Sequence, residues 1–525
     1  MFKYLIKRLL HAAISVILVV GIVMILIYSL MDRRTIFQND TKWQKVANNG
    51  KEVYQYQLWE RYGYIDYIPY SEFVDAEIKN GNVSSESREI VAKVGDYPEN
   101  DTVEASALIK KFTKTYESKG YKVVRLLAVK KTPTSQYYQK DGEPALLAYK
   151  DYNIFERLWK YFSSIISIDN IHYAAEVEGD RGFTFTFFDP VYGGNTFSPA
   201  IIGNGTKYKY LLYFDNKFPF VHQNLIKIKL GTSYSVSEGR DIVDYMTEEQ
   251  GGLATKTVYY PSGYVAEATD NLHTLTYIEG SNSNAFNQAR YVDDYTNATT
   301  YKKGKSMIAY SFIIGLIATL ITYLLAVPLG ILMARKKDKL ADKLGTIYIV
   351  FIMAVPSLAY IFMFRAIGSS VFGLPTIFDT DSGSVLVYIL PIVSLALPSI
   401  ATLMKWLRRY MIDQMNSDYV KFARAGGLSE SEIFRKHILK NAIIPIIQGI
   451  PASVLGCLTG AIITERVYTV PGAGKLLTDA ISKTDNGVIV GLAFFYAILS
   501  VISLILGDIL MAMFDPRISF STKGR

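Results

Sequence analysis

The chain has 525 residues, half of them hydrophobic, with a mean hydropathy of +0.15 and a formal net charge of +8. That charge is split: residues 32–305 carry 33 Lys/Arg against 35 Asp/Glu and the remainder carries 23 against 13, so the basic excess follows the apolar segments and speaks against nucleic-acid binding. A single cysteine, Cys457, excludes an intramolecular disulfide and a cysteine metal cluster.

Six stretches contain no Asp, Glu, Lys or Arg, at 9–31, 306–334, 344–364, 382–404, 441–464 and 486–507. Each is long enough to cross the hydrocarbon of a bilayer as a helix, which satisfies its own backbone there. The first follows Lys3, Lys7 and Arg8 and runs on without a small-residue cleavage pattern, so residues 1–31 read as a tail and an uncleaved anchor.

Residues 32–305 form an insertion between the first and second spans. Apolar residues recur at helical spacing around 102–119, whereas "RGFTFTFFD" from Arg181, "KYKYLLYFD" from Lys207 and "LIKIKLGTSYSV" from Leu225 read as β-rich segments. Gly193, Gly194, Gly203, Gly205, Gly251 and Gly252 are expected to punctuate the turns. This makes the insertion an α+β domain.

From 306 onward five spans follow closely, with Pro328, Pro356, Pro391, Pro398, Pro445 and Pro451 in them or at their ends. The sixth span continues past Asp508 to 513, and Asp508 is close enough to the inner end to snorkel or pair there. Lys/Arg residues gather in alternate connections: 335–343, then 405–440, then the C-terminal segment, while 366–381 has none. The positive-inside rule then places both termini in the cytoplasm and the insertion outside.

Between spans four and five lie residues 405–440. Arg408 to Met415 reads as helix and Tyr419 to Ala425 as a second one, closed by Gly426 and Gly427. Ser429, with Glu432 three positions on, predicts a capping box leading into Ile433, Phe434, Ile438 and Leu439.

The pattern Tyr419, Val420, Ala423, Arg424, Ala425, Gly427, Leu428, then Phe434, Arg435, His437 and Pro445 resembles the ATPase-contacting loop of ABC importer permeases in its oligopeptide and dipeptide form. Lys421 stands where the wider superfamily often has Glu, and Asn441 where many relatives have proline. A second element, "ERVYTVPGAGKLL", with Glu465, Tyr468, Pro471, Gly472 and Gly474, is similar to one in the same subgroup, at a turn on the outer face followed by a short helix from Lys475 to Ile481. "DPRIS" from Asp515 and "LGTSYSVSEGRDIVDYM" from Leu230 add to the likeness, which is to the Gram-positive, OppB/AmiC-like branch. The "PGAGK" fragment is not a Walker A loop, since Thr469 occupies the first glycine position and Leu476 follows the lysine.

The resemblance implies an all-α polytopic membrane protein of six transmembrane helices with the type I ABC importer permease fold, carrying the large α+β extracytoplasmic insertion. It implies a non-enzymatic transporter subunit in the plasma membrane of a Gram-positive bacterium. Tyr419, Ala423, Arg424, Ala425, Gly426, Gly427, Leu428, Phe434 and Arg435 would meet the ATPases. Partners would be a second permease (OppC/AmiD-like), two ATPases (OppD/OppF- or AmiE/AmiF-like) holding ATP and Mg, and a lipid-anchored peptide receptor (OppA/AmiA-like). This chain would hold no cofactor of its own and would meet peptide and membrane lipid. Another substrate of the peptide/nickel subgroup (dipeptide, metal chelate, haem) and an ion-coupled peptide carrier are the alternatives. The scattered histidines His11, His172, His222, His273 and His437 show no metal-ligand spacing, and no catalytic residue is expected.

Overall fold

The computed structural model describes residues 2–514 apart from 31, 38–39, 46–47, 129–143, 169–181, 189–193, 196, 198, 205–209, 215–220, 224–225, 238, 255–256, 260–264 and 268–300. The chain begins with helix α1 (Phe2–Leu30), apolar almost throughout. It buries Val16, Val20 and Met24 and leaves Leu18, Ile22 and Leu26 exposed.

The insertion then forms α2 (Asn48–Arg61), β1 (Ile65–Pro69), α3 (Tyr70–Lys79), α4 (Val103–Ser118), β2 (Lys122–Leu126) and β3 (Ala145–Asp151). The three strands make an antiparallel sheet in the order β1-β3-β2, with Ile68 opposite Ala148 and Val124 opposite Leu147. Helix α4 starts where the Thr102 hydroxyl accepts from the Ala105 amide at 3.2 Å. Its Ala105, Leu108, Ile109 and Phe112 fall on one face at helical spacing and bury against Tyr70, Val74 and Leu146. This is the helix expected over 102–119.

Helix α5 (Ile154–Ser164) opens with a capping box between Asn153 and Glu156. Strand β4 (Ile166–Ile168) pairs with β9 (Ile226–Ile228), and β5 (Gly182–Thr186), β6 (Ala200–Asn204), β7 (Tyr210–Phe214) and β8 (Val221–Gln223) form a four-stranded meander. Two sequence expectations need correction. Gly203 lies inside β6 opposite Phe183 and not in a turn, while Gly193 and Gly205 fall outside the described residues. Among its described residues, the β-rich stretch from Leu225 is strand only at Ile226–Ile228. Beyond it, the amides of Tyr234, Ser235 and Val236 donate to one Asp485 oxygen at 3.0–3.1 Å. A carboxylate takes the place of a neighbouring strand, so the segment needs no ladder. Helix α6 (Ile242–Thr247), capped by Asp241, ends this stretch.

The second half holds α7 (Met307–Arg335), α8 (Leu340–Ala354), α9 (Ser357–Phe372), α10 (Leu386–Met415), α11 (Asp418–Ala425), α12 (Ile444–Thr459), α13 (Ile462–Tyr468), α14 (Ala473–Ser482) and α15 (Asn486–Phe514). Among the described residues five segments are long and apolar enough to cross a membrane: α1, α7, α10, α12 with α13, and α15. The third expected span, 344–364, is not one rod. It is the pair α8 and α9, bent by 109°. Pro356 has no amide to donate and forces Val355 into extended backbone (ψ 131°), which ends α8 there.

Two further boundaries moved. The helix expected at Arg408–Met415 is the end of α10, which runs unbroken for 30 residues through Pro391 and Pro398. Span five ends at Gly460 (φ +77°) and resumes as α13. Helix α7 sits centrally, against α10 and α12, and α15 packs between α12 and α1. Asp508 of α15 forms an ion pair with Arg8 of α1, as its nearness to the helix end suggested.

Candidate functional site

Two regions gather the residues singled out by sequence. The first connects α10 to α12. Helix α11 turns Val420 fully inward, onto a core of Ala334, Leu407, Met411, Ile433, Ile438, Ala442 and Ile446, with Tyr419, Ala423 and Phe434 packed at its edge. Phe422 points away from this core and is 76% exposed, and Arg424, Ala425, Gly426, Gly427 and Leu428 are exposed after it.

The end of α11 is a complete Schellman motif. The Leu428 amide donates to the Ala423 carbonyl at 3.2 Å and the Gly427 amide to the Arg424 carbonyl at 3.1 Å. Gly427 makes this possible with φ +79°, a left-handed conformation that costs other residues about 1–2 kcal/mol. Gly426 has ordinary helical φ (−76°), so of the pair Gly427 is the one that reverses the chain. Ser429 and Glu432 then form the expected capping box.

The following turns are wider than expected. Ile433–Leu439 is a π-helix, leading through Lys440–Ala442 toward α12. Asn441 explains how it is held: its side-chain amide donates to the His437 carbonyl at 2.8 Å and to the Tyr419 hydroxyl at 3.0 Å. A proline there could not donate in this way. The Tyr419 hydroxyl also bonds the Gln414 side chain, tying α10, α11 and the π-helix together. Arg335 stacks over Phe434 at 4.8 Å, and Arg435 is exposed. Arg424 pairs with Glu430 at 2.6 Å, which holds that carboxyl below its ordinary range. This pair is solvent-exposed and contributes little to stability.

Sequence reasoning passed over Phe422. The signal was present: with Tyr419, Val420 and Ala423 on the inward face, helical spacing puts Phe422 on the other one. Also missed was the bidentate contact of Arg408 in α10 with Asp342 in α8, at 2.5 and 2.7 Å, the Asp342 side chain being 4% exposed.

The second region is the joint from α12 to α14, and it is buried. The Glu465 carboxylate, 2% exposed, accepts from the Ser311 hydroxyl at 2.8 Å, the Ala461 amide at 3.0 Å and the Lys475 amide at 2.9 Å. A β-carbon at Gly460 or Gly472 would fall on this carboxylate, and one at Gly474 would stand 2.9 Å from the Ile462 nitrogen. The glycines of the motif therefore make room for an acid caged by donors. The Tyr468 hydroxyl lies 2.8 Å from Ser394 of α10, and the turn at Pro471 closes with the Gly472 amide on the Val470 carbonyl. The short helix expected at 475–481 is α14. Glu465, Tyr468, Gly472 and Gly474 thus converge as a staple joining α7, α10, α13 and α14.

Between α7, α10 and α12 lies a cavity of about 450 Å³. Thr322, Tyr323, Ser399, Thr402, Trp406 and Ser453 line it, and among the described residues no charged side chain does. No cluster of metal-ligating side chains occurs among the described residues.

Residues 326–520 match the family described as binding-protein-dependent transport system inner membrane component. Over its whole length the chain is 35% identical to the oligopeptide transport system permease protein AmiC of Streptococcus pneumoniae, covering all of both proteins. It is 30% identical over 227 residues to the dipeptide transport system permease protein DppB of Lactococcus lactis, covering 43% of this chain and 73% of that one. Against DppB of Bacillus subtilis the figure is 29% over 214 residues, covering 41% and 69%. With a full-length relative at this identity and the apolar helices in place, the chain belongs to the membrane permeases of binding-protein-dependent ABC transporters, subunits that are not themselves enzymes.

Proposed function

We propose that this chain is the permease subunit of an ATP-driven oligopeptide importer and that the segment 418–439 is where partner ATPases push on it. One observation carries the reading: this segment is fused on one face to the membrane helices and bare on the other. Val420, Ile433 and Ile438 lock it to α7, α10 and α12, while Phe422 is 76% exposed and Ala425 and Leu428 also reach solvent. A close-packed face of this kind transmits displacement rather than absorbing it. Helix α10 would carry a push into the membrane, and Asp342–Arg408 would take it to the bent pair α8–α9.

The ATPases would hold the ATP and Mg. A second, homologous permease would close the translocation path against the hydroxyl-lined cavity. A lining of hydroxyls and aromatic rings without fixed charge suits peptides of varied sequence, since it can bond their backbone without selecting the side chains. The basic residues near Arg8, Arg335 and Arg408 favour the cytoplasm for that end of the bundle. The insertion would then be extracytoplasmic, on the side from which a lipid-anchored receptor delivers peptide, in a Gram-positive plasma membrane.

The test is Phe422→Asp. Burying a phenylalanine is worth about 1.5–3 kcal/mol, so its loss should weaken ATPase association by about tenfold to a hundredfold. Membrane insertion of the variant should be normal, while ATPase co-purification and peptide uptake fall together. Unchanged values of both would overturn the assignment.

A further inference from the structure

Helix α5 belongs by sequence to the insertion, yet one face of it packs on residues of spanning helices as well as on Leu230. Leu158, Tyr161, Phe162 and Ile165 pack on the cluster of Val16, Val20, Met24, Val490 and Phe494. A β-carbon on Gly21 would stand 3.8 Å from Leu158, and the rings of Tyr161 and Phe162 are 6.2 and 6.4 Å from that of Phe494.

The depth of this contact follows from the ends of the two spans, which are long and apolar over Ile6–Ser29 and Asn486–Phe514. Gly21 lies 8 residues before Ser29 and Phe494 lies 8 after Asn486. At about 1.5 Å per residue both stand about 12 Å inside that end of the spans, within a hydrocarbon core of about 30 Å.

The two largest bare side chains of α5 are apolar. Phe155 is 78% and Trp159 76% exposed, one helical turn apart, and Ile166 at the start of β4 is 61% exposed. Lys160, Ser163 and Ser164 are exposed beside them, and each has a partner within the protein. Arg157 stacks on Tyr28 and Tyr64 at 4.7 and 4.5 Å, and Lys160 lies over the Tyr152 ring at 4.0 Å. The Ser163 and Ser164 hydroxyls return to the Lys160 and Tyr161 carbonyls, and Glu156 caps its own helix. Polar groups next to hydrocarbon need such internal partners. Helix α1, against which α5 lies, likewise exposes Leu18 and Ile22 at the same depth.

We propose that α5 is a lipid-inserted helix, its Phe155 and Trp159 seated among phospholipid acyl chains of the leaflet opposite Arg8. It would anchor the insertion to the bilayer beside α1, as an amphipathic helix lies at the acyl boundary.

The experiment uses the complete importer in phospholipid nanodiscs. Phe155→Cys and Trp159→Cys are labelled with an environment-sensitive nitrobenzoxadiazole dye, with Lys114→Cys on α4 for comparison. The chain's own cysteine, Cys457, is buried, and the unsubstituted chain gives its background. Lipid carrying a nitroxide near the top of its acyl chain should quench positions 155 and 159 at least about twofold more than position 114, and aqueous iodide should do the reverse. Iodide quenching equal to that of position 114 would overturn the proposal. So would protection from both quenchers, which would mean a protein partner covers the helix. A phospholipid bearing a photoreactive acyl chain tests the unsubstituted protein: adducts are expected on Phe155 and Trp159, and their absence while Leu18 and Ile22 are labelled would also overturn it.

Discussion

Asp485 holds the segment before α6 against the start of α15, and replacing it by alanine should release that segment. Its carboxylate accepts from the Ser233 hydroxyl at 2.8 Å, from the amides of Tyr234, Ser235 and Val236 at 3.0–3.1 Å, and from the Val488 amide at 3.3 Å. Ser233, Val488 and Asp485 are fully buried, whereas 234–236 are half-buried and water could re-solvate their amides. Counting only the Ser233 and Val488 donors as stranded, at about 1–3 kcal/mol each, gives about 2–6 kcal/mol. At about 1.4 kcal/mol per tenfold, the opening equilibrium of the segment should rise by at least about thirtyfold. Hydrogen exchange of the full chain in nanodiscs reads this directly. Amides of Ser233 and Ile242, bonded to the Arg240 and Gly231 carbonyls, should exchange faster in Asp485→Ala, while those of α4 stay unchanged. Equal exchange in both proteins would refute the clamp.

Two other outcomes follow from buried carboxylates. Asp342→Ala strands Arg408, a loss of about 3 kcal/mol, at the low end for a broken buried pair because Arg408 keeps some solvent contact. The thermal midpoint in detergent should fall, and adding Arg408→Ala should restore part of it; an unchanged midpoint would show the pair idle. In the insertion, the Arg125 guanidinium holds the Asp101 carboxyl below its ordinary value. A depressed folded-state pKa contributes stability that is present above the unfolded value of about 3.9 and is lost as pH falls through the lower one. Protection of α4 against exchange should therefore be flat from neutral pH down to about 4.5 and drop below about 4, with a smaller drop in Asp101→Asn. A drop of equal size in both would assign the acid step elsewhere.

What sequence reveals here is what neighbouring residues decide. Helix α4, the capping box at Ser429 and the stop at Gly427 each depend on side chains within a few positions, and all were legible. The bend at Pro356 was present as a proline, but whether a proline kinks a rod or splits it depends on what surrounds it. The Asp485 clamp joins residues about 250 positions apart, and no local period announces such a contact. The Glu465 motif read as an exposed turn because proline and glycine favour turns. Its glycines instead give space to a buried acid, which only the packing of Ser311 from α7 makes evident. At the α11 loop, Ala423 is among the residues expected to meet the ATPases, yet it packs toward the chain's own core and Phe422 is the large bare side chain.

Phe422→Cys gives the most direct test of coupling, because buried Cys457 does not compete for reagent. In the assembled importer, a short thiol cross-linker should join position 422 to an ATPase subunit, with a yield that changes between nucleotide-free and ATP-bound states. An importer that still takes up peptide yet gives no such adduct in either state would contradict the coupling role of this loop.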